Sequence, residues 1–139
     1  MPLSVKYTYQ KKDKLKSRKQ TQHLFSKGSA VSAFPIKLLY TIQDEVPAFS
    51  PEGLLQAGVG APSRIFRKAV QRNKVKRLLR EGYRLEKPSF VAQQLFQNKR
   101  LNLFFLYVDA TLLSQQEIQE KIKIALKKLS DKIKAQPIV

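Results

Sequence analysis

Cysteine is absent from the 139-residue chain. That excludes disulfide scaffolds, thiolate metal sites and cysteine nucleophiles. Histidine occurs once, at His23. A Ser-His-Asp triad or a multi-histidine metal centre would have to be built around that one ring, so no catalytic residue and no metal ligand is assigned to the protein. Acidic residues are scarce, 10 against 27 Lys and Arg. No apolar run approaches the roughly 20 residues of a membrane span. Met1 to Lys12 mixes polar and apolar residues and lacks a signal peptide's apolar run. A reduced, cytoplasmic protein is the expectation.

What is present is enough apolar sequence, 42%, for one core, and a net charge of +17. The length suits a single domain over 1–139, with 1–16 a basic arm or edge strand and 135–139 a short tail. The charge excess predicts a polyanionic partner, nucleic acid ahead of an anionic membrane.

The hydropathy pattern places the elements. Ser17-Arg18-Lys19-Gln20 reads as a capping box opening a short helix that Gly28 closes. Pro35 to Ile42 and Leu54 to Gly60 read as strands, expected to pair as a hairpin across the acidic loop holding Asp44, Glu45 and Glu52. A helix is expected from Ile65 to about Leu85, with Val75, Leu78, Leu79, Gly82 and Tyr83 on one stripe. Pro88 is read as an interruption. Leu101 to Val108, apolar on both faces, reads as a central strand. Ser114-Gln-Gln-Glu117 is a second capping box, opening a helix through Ile118, Ile122, Ala125, Leu129 and Ile133. The class is α+β: a two-layer sandwich with a mixed sheet of about four strands and three or four helices.

Ser63 to Arg84 is the informative segment. Nine of its 22 residues are Arg or Lys, and Glu81 is its one acid. At about 100° per residue, Arg72, Lys76, Arg80, Asn73, Arg84 and Arg77 fan across one flank while the apolar stripe holds the other. Cations one turn apart can each reach a different phosphate, and arginine grips two oxygens at once. Asn73 offers a donor and an acceptor to a base edge or 2′-hydroxyl. The bland alternative is a solvated face, but i,i+4 acid–base pairing is almost missing from this one.

Within that segment, Ala69-Val70-Gln71-Arg72-Asn73-Lys74-Val75-Lys76-Arg77-Leu78-Leu79-Arg80 resembles the A-V-x-R-N-x-x-K-R-x-x-R signature of the bacterial ribonuclease P protein subunit. Leu15 to Gly28 is similar to that family's first helix, and Ile36 to Tyr40 to its next strand. The likeness spans roughly residues 10 to 130. The resemblance implies a small basic protein that joins a catalytic RNA. The holoenzyme removes the 5′ leader of precursor tRNA by phosphodiester hydrolysis, and the RNA with its bound Mg2+ performs the chemistry. It implies a left-handed βαβ crossover. It implies that Arg72, Asn73, Lys76, Arg77 and Arg80 contact the catalytic RNA, with Arg64, Arg67, Lys68 and Arg84 extending that surface. Phe25 and Tyr40 match aromatic positions of a cleft for the single-stranded leader. Thr21 stands where many members carry an aromatic, one turn before Phe25. The implied partners are the catalytic RNA and precursor tRNA, not DNA or a membrane. A basic ribosomal or other RNA-binding protein without a role in cleavage is the alternative with the same charge and class.

Overall fold

The computed structural model describes residues 14–15, 18–44, 54–93 and 99–135. The elements run α1 (Arg18–Lys27), β1 (Ser29–Ala33), β2 (Ile36–Asp44), β3 (Leu54–Gly60), α2 (Ala69–Val91), β4 (Lys99–Tyr107) and α3 (Gln115–Ala135). The strands form one mixed sheet in the order β1-β2-β4-β3. β2 pairs antiparallel with β1 and with β4, while β3 runs parallel to β4, with α2 making the crossover.

Side chains alternate across a pleated strand, and paired residues share a face. Ile36, Leu38 and Tyr40 of β2 therefore sit with Leu101, Leu103, Phe105 and Tyr107 of β4 and with Leu55 and Ala57 of β3. α2 and α3 cover this face with Val75, Leu79, Tyr83 and Phe90 and with Ile118, Ile122, Ala125 and Leu129. Each of the larger side chains among them contributes about 1.5–3 kcal/mol by leaving water. The helices approach closely at Gly82, where a Cβ would stand 2.6 Å from Ile122 Cδ1. Tyr107 locks the turn into α3. Its hydroxyl donates to the Thr111 carbonyl at 2.6 Å and accepts from the Leu113 N–H at 2.9 Å. Burial pushes its pKa above the ordinary tyrosine value.

The opposite face carries Lys37, Leu39 and Thr41 of β2, Asn102, Phe104 and Leu106 of β4, and Gly58 and Gly60 of β3. α1 lies over part of it. Leu24 and Leu39 are buried there, outside the main core. Lys14 bridges Ala57 in parallel at the β3 edge. The basic arm apart from Lys14 and Leu15, Ser17 of the first capping box, Glu45, Glu52 and most of the tail lie outside the described residues.

Four expectations are corrected. The hairpin partner of β2 is β1, not Leu54–Gly60. β4 takes the other side of β2, so β3 is displaced to the far edge. β1 itself, Ser-Ala-Val-Ser-Ala, has a single branched residue, Val31, and no aromatic to mark a strand. α2 begins at Ala69 rather than Ile65. The Phe66 and Arg67 carbonyls accept from the Arg72 guanidinium and so do not start a helical ladder. α2 also continues past Pro88 to Val91. A proline near a helix end removes one N–H bond, and burial of Phe90, 2% exposed, offsets the loss.

Candidate nucleic-acid interface

α2 is anchored by its apolar stripe, which turns its other flank to solvent. Its N-cap is Lys68, extended at φ −85° and ψ 135°, with no side-chain cap and no acid in the first turn. A helix N-terminus carries unpaired N–H groups and a partial positive charge. Placing Lys68 there, with Arg67 and Arg64 just before it, adds charge of the same sign. Neither stabilises the helix; both suit an anion.

Arg64, Arg67, Lys68, Asn73, Arg77 and Arg80 are exposed, and Lys76 is half-buried on the same flank. Lys74 is exposed as well. Two nominated cations are otherwise engaged. Arg72 Nη1 donates to the carbonyls of Phe66 and Arg67, both at 2.8 Å. That guanidinium straps the 63–68 turn to the helix and so sets where Arg64, Arg67 and Lys68 point. Arg84 Nε donates to Glu81 at 3.1 Å in an i,i+3 ion pair. The bond holds the Glu81 carboxyl below its usual range and raises Arg84. Within the signature, then, the outward cations are Arg77, Arg80 and Lys76, while Arg72 shapes the approach and Arg84 is paired.

The second surface lies between α1 and the open sheet face. Phe25 is 52% exposed and meets Phe104 edge-on, ring centroids 5.0 Å apart. Tyr40 does not join them. It is 7% exposed and belongs to the core cluster under α2 and α3. Its pairing with Leu103 turns it to the opposite face, so its placement in the cleft is corrected: the β2 residues facing α1 are Leu39 and Thr41. Phe104 is the aromatic the sequence reading missed. Period-two alternation from a buried Phe105 would have exposed it, once the inner face of β4 was known. His23 is exposed on α1. No three carboxylates or histidines come together among the described residues, and none of their helices is long and apolar enough to cross a membrane.

The family model described as Ribonuclease P matches residues 9–130. The chain belongs to the ribonuclease P family. It is 36% identical over 77 residues to the "Ribonuclease P protein component" of one Porphyromonas gingivalis strain, and 35% identical over 77 residues to that of another. Each alignment covers 55% of this chain and 53% of the relative, so the chain spans about half the length of the curated relatives it matches. Among solved structures it resembles the Staphylococcus aureus RNase P protein, with a TM-score of 0.58 at 19% identity, covering 84% of this chain and 94% of that one. A mutant of that protein "with defective mRNA degradation activity" gives 0.59 at 18% identity, covering 85% and 88%. At these identities the structural likeness establishes the fold: a mixed four-stranded sheet with three helices.

Proposed function

We propose that this chain is the protein subunit of a ribonuclease P ribonucleoprotein. It binds the catalytic RNA through the outward flank of α2 and the turn before it, and takes the 5′ leader of precursor tRNA in the cleft beneath α1. It acts in the cytoplasm, supporting endonucleolytic removal of the leader. The observation that carries this reading is the single-signed face itself: Arg64, Arg67 and Lys68 stand exposed at a helix N-terminus without a side-chain cap, and Arg77 and Arg80 stand exposed further along the same helix.

Bond breaking belongs to the RNA in this reading. Magnesium requires hard oxygen ligands in near-octahedral order. The ion stays with the RNA in this reading, and no step is routed through a protein-held one. The chain contributes charge and shape. Cations between two RNA polyanions lower their repulsion and release counterions, so the protein should matter most where magnesium is scarce.

Reconstitution with the cognate catalytic RNA tests this. The protein alone cleaves nothing, and its addition restores leader removal at low magnesium. Unchanged cleavage at low magnesium would refute the proposal. Stable association with ribosomal subunits in place of the catalytic RNA would favour the ribosomal alternative.

A further inference from the structure

Gly58 and Gly60 lie on the cleft side of β3, each paired with a bulky residue of β4: Phe104 and Leu106. A Cβ at Gly60 would stand 2.7 Å from Phe104 Cε1, and one at Gly58 3.0 Å from Phe104 Cδ2 and Cε2. The Phe104 ring therefore lies flat in a slot that exists because two side chains are missing. From that slot it meets Phe25 at 5.0 Å and 62°. This is the edge-to-face geometry that aromatic pairs favour.

The same geometry limits what the pair can bind. A base held between two rings needs them parallel and about 7 Å apart, twice the ~3.4 Å base step. These rings are neither, so the platform offers one stacking surface, the solvent side of Phe25. Lys37 is exposed on the same sheet face, paired with Leu106, where it can meet a phosphate. An exposed aromatic and a cation on one sheet face, on a chain of net charge +17, suit single-stranded RNA.

We propose that Phe104, seated over Gly58 and Gly60, is a positioning residue that holds Phe25 outward to stack on one unpaired base of the leader. It supplies from β4 the ring neighbour that Thr21 does not supply from α1. The inference rests on the cleft binding assigned above.

The test uses holoenzyme reconstituted with the cognate catalytic RNA and compares the Kd of precursor and mature tRNA. Phe25→Ala should weaken precursor binding about ten-fold, in keeping with loss of one stacked base, and leave mature tRNA unchanged. Phe104→Leu and Gly60→Ala should each cost about three-fold, the second without removing a ring. Neither should add to the loss once Phe25 is alanine, because both act through it. Equal costs with and without Phe25, or equal effects on both tRNAs, would overturn the assignment. Leaders carrying one abasic position at a time repeat the test without touching the fold. One position should reproduce the Phe25→Ala loss, and uniform tolerance would overturn the platform. If the unaltered holoenzyme binds both tRNAs equally, the leader reading falls. The platform is then judged on a short single-stranded RNA: weaker binding by Phe104→Leu sustains it, and indifference overturns it.

Discussion

α2 and α3 are both long, lysine- or arginine-rich and packed on the same sheet face, yet they obey opposite rules. α3 opens on a capping box. The Ser114 N–H and hydroxyl donate to Glu117 Oε1, and the Glu117 N–H donates back to Ser114 Oγ. It has an acid in its first turn and Lys132 and Lys134 in its last, which complements the helix dipole. Its six lysines are interspersed with Glu117, Glu120 and Asp131, and Lys128 Nζ donates to the Ser32 carbonyl of β1. α2 has no side-chain cap, no acid in its first turn and no base in its last. Seven cations face two acids, Glu81 and Glu86. Where one helix follows every local stability rule and its neighbour breaks them, the breach marks the functional element. The number of cations alone, seven against six, would have ranked the two helices as near equals.

The largest effect should come from the outward cations. Replacing Arg77 and Arg80 together with alanine should weaken binding to the catalytic RNA by about a hundred-fold and lower the log K against log salt slope by about 1.5. Replacing Lys123 and Lys127 of α3 should leave both nearly unchanged. Equal losses from the two helices, in a filter-binding titration across salt, would erase the contrast between them.

Next is Arg72→Ala. It leaves the Phe66 and Arg67 carbonyls without their charged donor and should cost about 1–3 kcal/mol of stability, read as a lower urea midpoint. RNA binding should fall through misplacement of the 63–68 turn. A variant that lost RNA affinity at full stability would make Arg72 a direct contact instead.

Capping sharpens the comparison further. Lys68→Asp gives α2 the cap it lacks and should add about 1 kcal/mol of stability while lowering RNA affinity. Ser114→Ala should remove about 1 kcal/mol from α3 and leave RNA binding alone. Opposite signs of stability against affinity at position 68 are the diagnostic, from thermal melts and titrations of the same samples.

The smallest effect concerns Glu81. Its carboxyl titrates below its usual value because Arg84 donates to it, so its contribution is present above pH about 4.5. That contribution is lost as pH falls through the depressed folded value. The group is solvent-accessible, so the acid limb of stability should change only slightly in Glu81→Gln. A large change would show a buried network instead of a surface pair.

Much of this was legible in the residues. The signature of α2, the capping box of α3 and the doubly apolar run of β4 each declare themselves locally, through charge, hydrogen-bonding side chains and periodicity. β1 was not legible, because a lone valine among four small residues has little strand preference until β2 pairs with it. Tyr40 and Phe104 exchanged places for a related reason. Each sits on a strand with apolar neighbours on both sides, so the run alone does not say which face is covered.

The sequence by itself determined the sign of the surface, the helical stripe that turns it outward, and the family. These depend on composition and on spacing within one helix, which no distant contact alters. Only the tertiary structure decided which aromatic faces the cleft and which arginine straps a turn instead of reaching outward. Side chains alternate strictly along a strand, so the choice of face depends on pairing across residues far apart in the chain. A guanidinium likewise binds whichever carbonyls the fold brings within its reach.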